Sequence, residues 1–264
     1  MVRQDGRHVR IDLGYNGRAF YGSQRQAQVR TVQQELEAVL RQVTRDSDAR
    51  LAFAGRTDRG VHAVGQVASG TVRWPGELER LRFALDRLTE QDLTVYRVTD
   101  VDPAFHARFS ARSREYRYRI FVSNHAPVLL QGLVWWIRPP LDIDRLQDAG
   151  SRLIGDRDFR SFAGAGAGSG SSELTTRRHL DIAEWSSWAA TLEGSGDVYE
   201  FRVRANAFLP HMVRNLVGAQ IEVGTGRQSP AFVDDLMSAR DRRQAPKAAP
   251  PDGLTLWAVE YDET

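Results

Sequence analysis

The chain has no cysteine. Disulfides, thiolate metal sites and a thiol nucleophile are therefore excluded. Lysine is nearly absent too: Lys247 stands alone beside 35 arginines. No apolar run approaches the roughly 20 residues that span a bilayer. The opening Met1-Val2-Arg3-Gln4-Asp5-Gly6 leads into a polar strand and lacks an apolar secretory core. The sequence thus predicts a cytoplasmic protein with no membrane partner. Six histidines (His8, His62, His106, His125, His179 and His211) show no two-ligand spacing on one helix, so no metal site is expected.

The chain's 264 residues, 41% apolar and 27% charged, suffice to bury a core in one large domain or two small ones. Base bias in the coding sequence is the plain explanation for so much arginine. The residue still has consequences, because its fork pairs bidentately with phosphates and its plane stacks on bases. The net charge of +2 is split along the chain. Residues 1–122 carry 21 arginines against 15 acids, a net of +6, and residues 123–264 a net of −4. The first part is the better candidate for an anionic partner.

Hydrophobic periodicity gives the organisation. Val9 to Tyr15 alternates apolar and polar, as a half-buried strand does. Thr31 and Gln34 form a capping box before Val32, Leu36, Val39, Leu40 and Val43 at helical spacing. Strands are predicted over 50–54, 65–72 and 93–101, with a helix over 77–88 between the last two. The pattern then resumes with strands over 115–122, 179–187, 198–204 and 254–261. Helices are predicted over 144–154 and 211–223, and a last one capped by Ser229 with Pro230 as its first residue. The fold class read from this is α+β: two similar halves, each a mixed or antiparallel sheet with helices on one face, ferredoxin-like or RRM-like. The expected division is 1–112 and 113–264. Gly164 to Ser172 is Gly/Ser/Ala-rich but lacks the third glycine of a dinucleotide fingerprint, and reads as a mobile loop. Gln244 to Asp252, with three prolines, reads as an extended connector.

Three groups could carry chemistry. Gly55-Arg56-Thr57-Asp58-Arg59-Gly60 follows a short apolar strand and sets one acid between two arginines. Glycines there permit a tight turn and close approach of a ligand, although turn aspartates most often make only local hydrogen bonds. Arg214 shares a helix face with Val217, Gly218 and Ile221. A charge on an apolar stripe needs an anionic partner or a path to water. Tyr116 and Tyr118 lie on one strand among Arg112, Arg114, Arg117 and Arg119, which suits base stacking and backbone contact as well as it suits cross-strand packing.

At these residues the chain resembles the TruA family of transfer RNA pseudouridine synthases. The resemblance runs from Leu13 to Tyr261 and rests on separated motifs in the right order. They are Gly14-Tyr15 with Phe20 to Gln26, Gly55 to Asp58 with Gly60 to Ala63 and Gln66, Phe105 to Ala111, Tyr116-Arg117-Tyr118, His211 to Asn215 with Val217-Gly218, and Gly253-Leu254 with Leu256. It implies a synthase that isomerises uridine to pseudouridine at positions 38–40 of the anticodon stem-loop, acting as a homodimer on transfer RNA, with a catalytic cleft between the two halves, the first carrying the catalytic carboxylate and the second completing the cleft. It implies Asp58 as the catalytic aspartate and nucleophile, Arg214 as its charge partner, Tyr116 as the ring stacked on the flipped uracil, Leu254 as pocket floor and Arg56 as the group that helps displace the base. The rearrangement adds no atoms and changes no oxidation state, so no cofactor and no metal is expected. The chain departs from the family pattern at Ser23, where most members carry tryptophan, at Arg87-Leu88-Thr89, at Pro210 and in the 164–172 loop.

Two other readings fit parts of the sequence. An RNA-binding module would use the same aromatics and arginines but has no need of an acid opposed to Arg214. A hydrolase acting on a glycosidic or phosphate bond would need a second carboxylate at fixed separation, and no acid in the sequence declares itself as that partner.

Overall fold

The computed structural model describes residues 6–164 and 176–262. They form two units, each with its own core: the described residues of Met1–Arg112 with Thr255–Thr264, and Ser113–Leu254.

In the first unit the chain runs β1 (Arg7–Tyr15), α1 (Val32–Thr44), β2 (Ala52–Phe53), β3 (His62–Val72), α2 (Leu78–Leu88) and β4 (Leu93–Asp100). β1 is the central strand, antiparallel to β4 on one side and to β3 on the other. β2 lies on the outer edge of β3, where Ala52 faces Ser69. The spatial order β4-β1-β3-β2 is the ferredoxin-like arrangement the alternation implied. The period of two explains the layering: Val9, Ile11 and Leu13 are fully buried, as are Leu36 and Leu40 of α1 and Leu81 and Leu85 of α2. Arg10 and Asp12, on the other face of β1, pair with each other at 2.7 Å. Thr31 caps α1 as expected, accepting from the Gln34 amide at 3.4 Å. Its hydroxyl donates to Gln34 Oε1 at 2.7 Å, so Gln34 answers the threonine side chain and not its main-chain N–H.

The second unit keeps the alternation of strands and helices but has more strands, two before its first helix and three before the next. It contains β5 (Ser113–Val122), β6 (Trp135–Ile137), α3 (Ile143–Ser151), β7 (Gly155–Asp158), β8 (Arg177–Ala189), β9 (Asp197–Ala205), α4 (Met212–Gly224) and α5 (Phe232–Ala239). The sheet order is β6-β5-β9-β8-β7, with β6 parallel to β5 and the other pairs antiparallel. Tyr118, Ile120, Phe201, Val203 and Trp185 fill one face. There Gly150 of α3 abuts Ala183 and Trp185, and the Trp185 indole donates to Gln220 of α4 at 2.8 Å. The opposite face of β5 and β9 is ionic. Glu115 and Glu200, both buried, are bridged by Arg117, Arg119 and Arg202 at 2.8–3.2 Å.

The last strand, β10 (Leu254–Glu260), departs from the expected division. It runs parallel to β3, with Thr255 beside His62 and Leu256 beside Ala63, so its residues from Thr255 onward belong to the first unit. Backbone pairing, which periodicity does not encode, decides this membership. Two local readings also change. The expected strand over 50–54 shortens to β2. The helix expected from Ser229–Pro230 begins at Phe232, after a turn in which Phe232 N–H donates to the Ser229 carbonyl at 3.0 Å. Of the Gly164–Ser172 stretch, residues 165–172 lie outside the described residues. Among the described residues, no helix is long and apolar enough to cross a membrane.

Candidate active site

The Asp58 turn leaves the end of β2 and enters β3. It is built by residues that hold its main chain from three directions. From β3, the buried Gln66 amide spans Gly55, accepting from its N–H at 3.3 Å and donating to its carbonyl at 2.9 Å. From β1, the Tyr15 hydroxyl meets Thr57 Oγ1 at 2.9 Å and accepts from Gln66 Nε2 at 3.2 Å. From the loop after β1, Ser23 Oγ accepts from Thr57 N–H at 2.9 Å, and Ser23 N–H donates to the Thr57 carbonyl at 3.1 Å. Val61 N–H closes the turn on the Asp58 carbonyl at 3.1 Å, and Gly60 N–H reaches the Phe20 carbonyl at 3.4 Å.

Two glycines make this close meeting of loops possible. Gly22 has φ +97°, and a Cβ there would stand 2.7 Å from the Thr57 carbonyl. A Cβ on Gly17 would collide with the main chain of Val61. Gly17 N–H donates to Nδ1 of the buried His62 at 3.1 Å. The result is a buried polar mesh beneath a half-buried Asp58, with Arg56 and Arg59 exposed beside it. Arg59 lies over the Tyr21 ring, 4.2 Å from its centroid. Burial pushes the Tyr15 hydroxyl up to about 12, against the opposing hydrogen bonds from Thr57, Gln66 and Ser23. The phenol is therefore neutral at neutral pH.

In the second unit, Arg214 sits in the first turn of α4, half-buried. Its Nε donates to the Ala249 carbonyl at 2.7 Å, and Ala249 N–H returns to the Arg214 carbonyl at 3.0 Å. The connector of residues 244–252 is thereby laid along α4, close enough that a Cβ on Gly218 would strike Lys247. The Tyr118 hydroxyl donates to the Pro250 carbonyl at 2.8 Å. Burial raises its pKa well above the ordinary phenol value, with Arg214 opposing and Asp252 adding to the rise. Tyr116 is buried and packs edge-on against Phe208, 5.1 Å between centroids. Leu254 is buried where the connector meets β10.

Of the residues singled out in the sequence, Arg56 and Asp58 therefore share one turn of the first unit, and Tyr116, Arg214 and Leu254 belong to the second. The supporting roles of Tyr15, Ser23, Gln66 and His62 were not read from the sequence. Their segments stood out as motifs, but hydrogen bonds between residues 34 and 51 positions apart leave no periodic trace.

Comparison with known proteins agrees with this layout. A profile of the tRNA pseudouridine synthase family matches residues 14–110 and 149–262. The chain is 40% identical over 265 residues to tRNA pseudouridine synthase A of Paraburkholderia phymatum, covering 97% of this chain and 92% of that one. It is 37% identical to the protein of the same name from Halalkalibacterium halodurans, over 94% of this chain and 90% of that one. The Bacillus pumilus tRNA pseudouridine synthase A is likewise 37% identical, over 96% and 99%. This chain belongs to the tRNA pseudouridine synthase family.

Proposed function

We propose that this chain isomerises uridine to pseudouridine in the anticodon stem-loop of transfer RNA, at positions 38–40, with Asp58 as the reacting carboxylate. The family match, which spans both units and includes the Asp58 turn, carries the reading. The bond from C1′ to N1 breaks, the uracil turns, C1′ is rejoined to C5, C5 gives up its proton and N1 takes one up, so the product is an isomer of the substrate. The step needs a positioned, ionised acid that bonds covalently to the substrate or steadies positive charge at the sugar. Closing such a site to water favours the neutral acid, and a nearby guanidinium opposes that. Arg214 is the guanidinium to which the proposal gives this role.

A stacked uridine must first be flipped out, at a cost of a few kcal/mol. Tyr116 then receives the base, Leu254 forms the floor beneath it, and Arg56 fills the gap left in the stem. The arginine-rich first unit offsets part of that cost through phosphate contacts, so binding weakens as salt rises. The proposal includes a homodimer in which each transfer RNA touches both subunits, and a cytoplasmic location. It calls for no cofactor, since atoms and oxidation states balance within the substrate.

The test is direct. Unmodified transfer RNA is incubated with the purified protein and pseudouridine is mapped by a base-specific chemical readout. Product at positions 38–40, lost in Asp58→Asn while RNA binding persists, is the expected result. Normal turnover by Asp58→Asn defeats the reading, and product at other positions defeats the positional part.

A further inference from the structure

The Asp58 turn is held more firmly than a surface turn requires. Gly55 and Thr57 each have both main-chain polar groups or main chain plus side chain engaged by other segments. The engaging groups are Gln66, Tyr15 and Ser23, at 0%, 5% and 1% exposure. The Tyr15 hydroxyl accepts from Gln66 and shares a hydrogen with Thr57 Oγ1. The mesh therefore links Gln66 through Tyr15 to Thr57 and ends one residue before Asp58.

The Ser23 loop is itself braced. Gln33 N–H of α1 donates to the Ser23 carbonyl at 3.0 Å, and Arg25 N–H donates to Gln33 Oε1 at 3.0 Å. The Arg25 guanidinium pairs with Glu37, a fully buried acid of α1. Behind the loop, Tyr21 N–H bonds the Arg30 carbonyl at 2.9 Å, and Arg30 is locked in a bidentate pair with Asp92 at 2.7 Å. A rigid path thus runs from α1 through Ser23 to the main chain of Thr57.

The geometry points to Ser23, Tyr15 and Gln66 as positioning residues that aim the Asp58 carboxylate by fixing the main chain at Gly55 and Thr57, without touching the substrate. This rests on Asp58 being the reacting group. Reacting atoms must be placed to well under an ångström, and a misplacement of about 1 Å costs on the order of a hundredfold in rate. A hydroxyl lost from this mesh frees one anchor and leaves a buried N–H or hydroxyl unmatched. The turn then samples positions in which the carboxylate is off line. Substrate grip, supplied by other surfaces, does not change.

The experiment compares Ser23→Ala, Tyr15→Phe, Ser23→Thr and Asp58→Asn in the full chain. Three quantities are measured: single-turnover rate at saturating enzyme, Kd for unmodified transfer RNA, and Tm. Ser23→Ala is expected to slow turnover about ten- to hundredfold and Tyr15→Phe about three- to tenfold. Kd should stay within about twofold in both, and Tm well above the assay temperature. Ser23→Thr, which retains the acceptor, should recover most of the rate. If Ser23→Ala fails to fold, Tyr15→Phe, which removes one oxygen, decides the matter. Wild-type single-turnover rates in the folded variants, with Asp58→Asn inactive, overturn the positioning role alone. So does a rate loss matched by an equal rise in Kd. Full turnover by Asp58→Asn overturns the reading of the site, and the positioning role falls with it.

Discussion

Replacing Arg214 by lysine keeps the charge and removes the fork. In the structure Nε donates to the Ala249 carbonyl at 2.7 Å, and the proposed role asks the same guanidinium to pair with a carboxylate as well. Lysine has one ammonium at the end of a flexible stem and cannot serve both ends of that arrangement. If it bonds Ala249, the carboxylate loses its planar partner. If it turns to the carboxylate, a carbonyl of the buried Ala249 is left unmatched. A hydrogen bond to a charged group is worth about 1.5–3 kcal/mol, so Arg214→Lys should slow single-turnover pseudouridine formation about ten- to hundredfold. The unmatched carbonyl adds about 1–3 kcal/mol of lost stability in the second outcome, or a fall of a few degrees in Tm for a chain of this size. The assay follows product on unmodified transfer RNA with enzyme in excess, alongside thermal unfolding. A variant as fast as the parent refutes the argument, because the fork would then contribute nothing that a point charge does not.

Gly22→Ala should reduce both Tm and turnover. It forces a Cβ into a φ of +97° and to 2.7 Å from the Thr57 carbonyl, a cost of about 1–3 kcal/mol, and an unchanged Tm by calorimetry would contradict this. Glu37→Ala should lower stability by about 3 kcal/mol in urea unfolding, since Leu51 N–H and Gln33 Nε2 lose their acceptor at 3.0 and 3.1 Å and Arg25 its partner. A loss below about 1 kcal/mol would show that water takes over as the acceptor. Stability should also fall on acidification through the Glu115 carboxyl. Burial raises its pKa, but hydrogen bonds from Arg202 and Arg117 outweigh that and hold it below the ordinary glutamate value. A depressed folded pKa means its contribution is complete above the unfolded value and lost as pH drops through the folded one. Urea midpoints at pH 6 and pH 3.5 should therefore converge in Glu115→Gln relative to the parent, and an identical pH slope would discount the ion network.

The long strands and helices were legible because a single period dominated each. Val9, Ile11 and Leu13 alternate, and the α1 residues recur at helical spacing. β6 was not legible, because three residues are too few to show a period. Nor was β7, whose sequence Gly155-Asp156-Arg157-Asp158 has no apolar member. That segment is a strand because β8 offers it an edge, with Asp156 facing His179. The start of α4 was nearly right: His211 adopts φ 59°, so it caps the helix and does not begin it. At the candidate site, the Asp58 turn stood out by the density of charge and glycine around it, and the role proposed for Asp58 came from the resemblance. Ser23, Tyr15 and Gln66 could not stand out in that way, because their importance lies in distances between remote segments and not in residue type. Arg214 looked anomalous on an apolar stripe, and the Ala249 carbonyl now accounts for one of its nitrogens.

The membership of the last strand has a consequence for synthesis. Ala54, at the root of the Asp58 turn, is packed in a cluster with Val67 and Ala107 that Val259 and Tyr261 cover. The Tyr261 hydroxyl also ties down the Ala107 carbonyl at 2.7 Å. A nascent chain that has emerged from the ribosome only as far as residue 112 lacks that cover and lacks a neighbour for the start of β3. The sheet and core beside the Asp58 turn therefore cannot be completed until residues 254–261 have been translated.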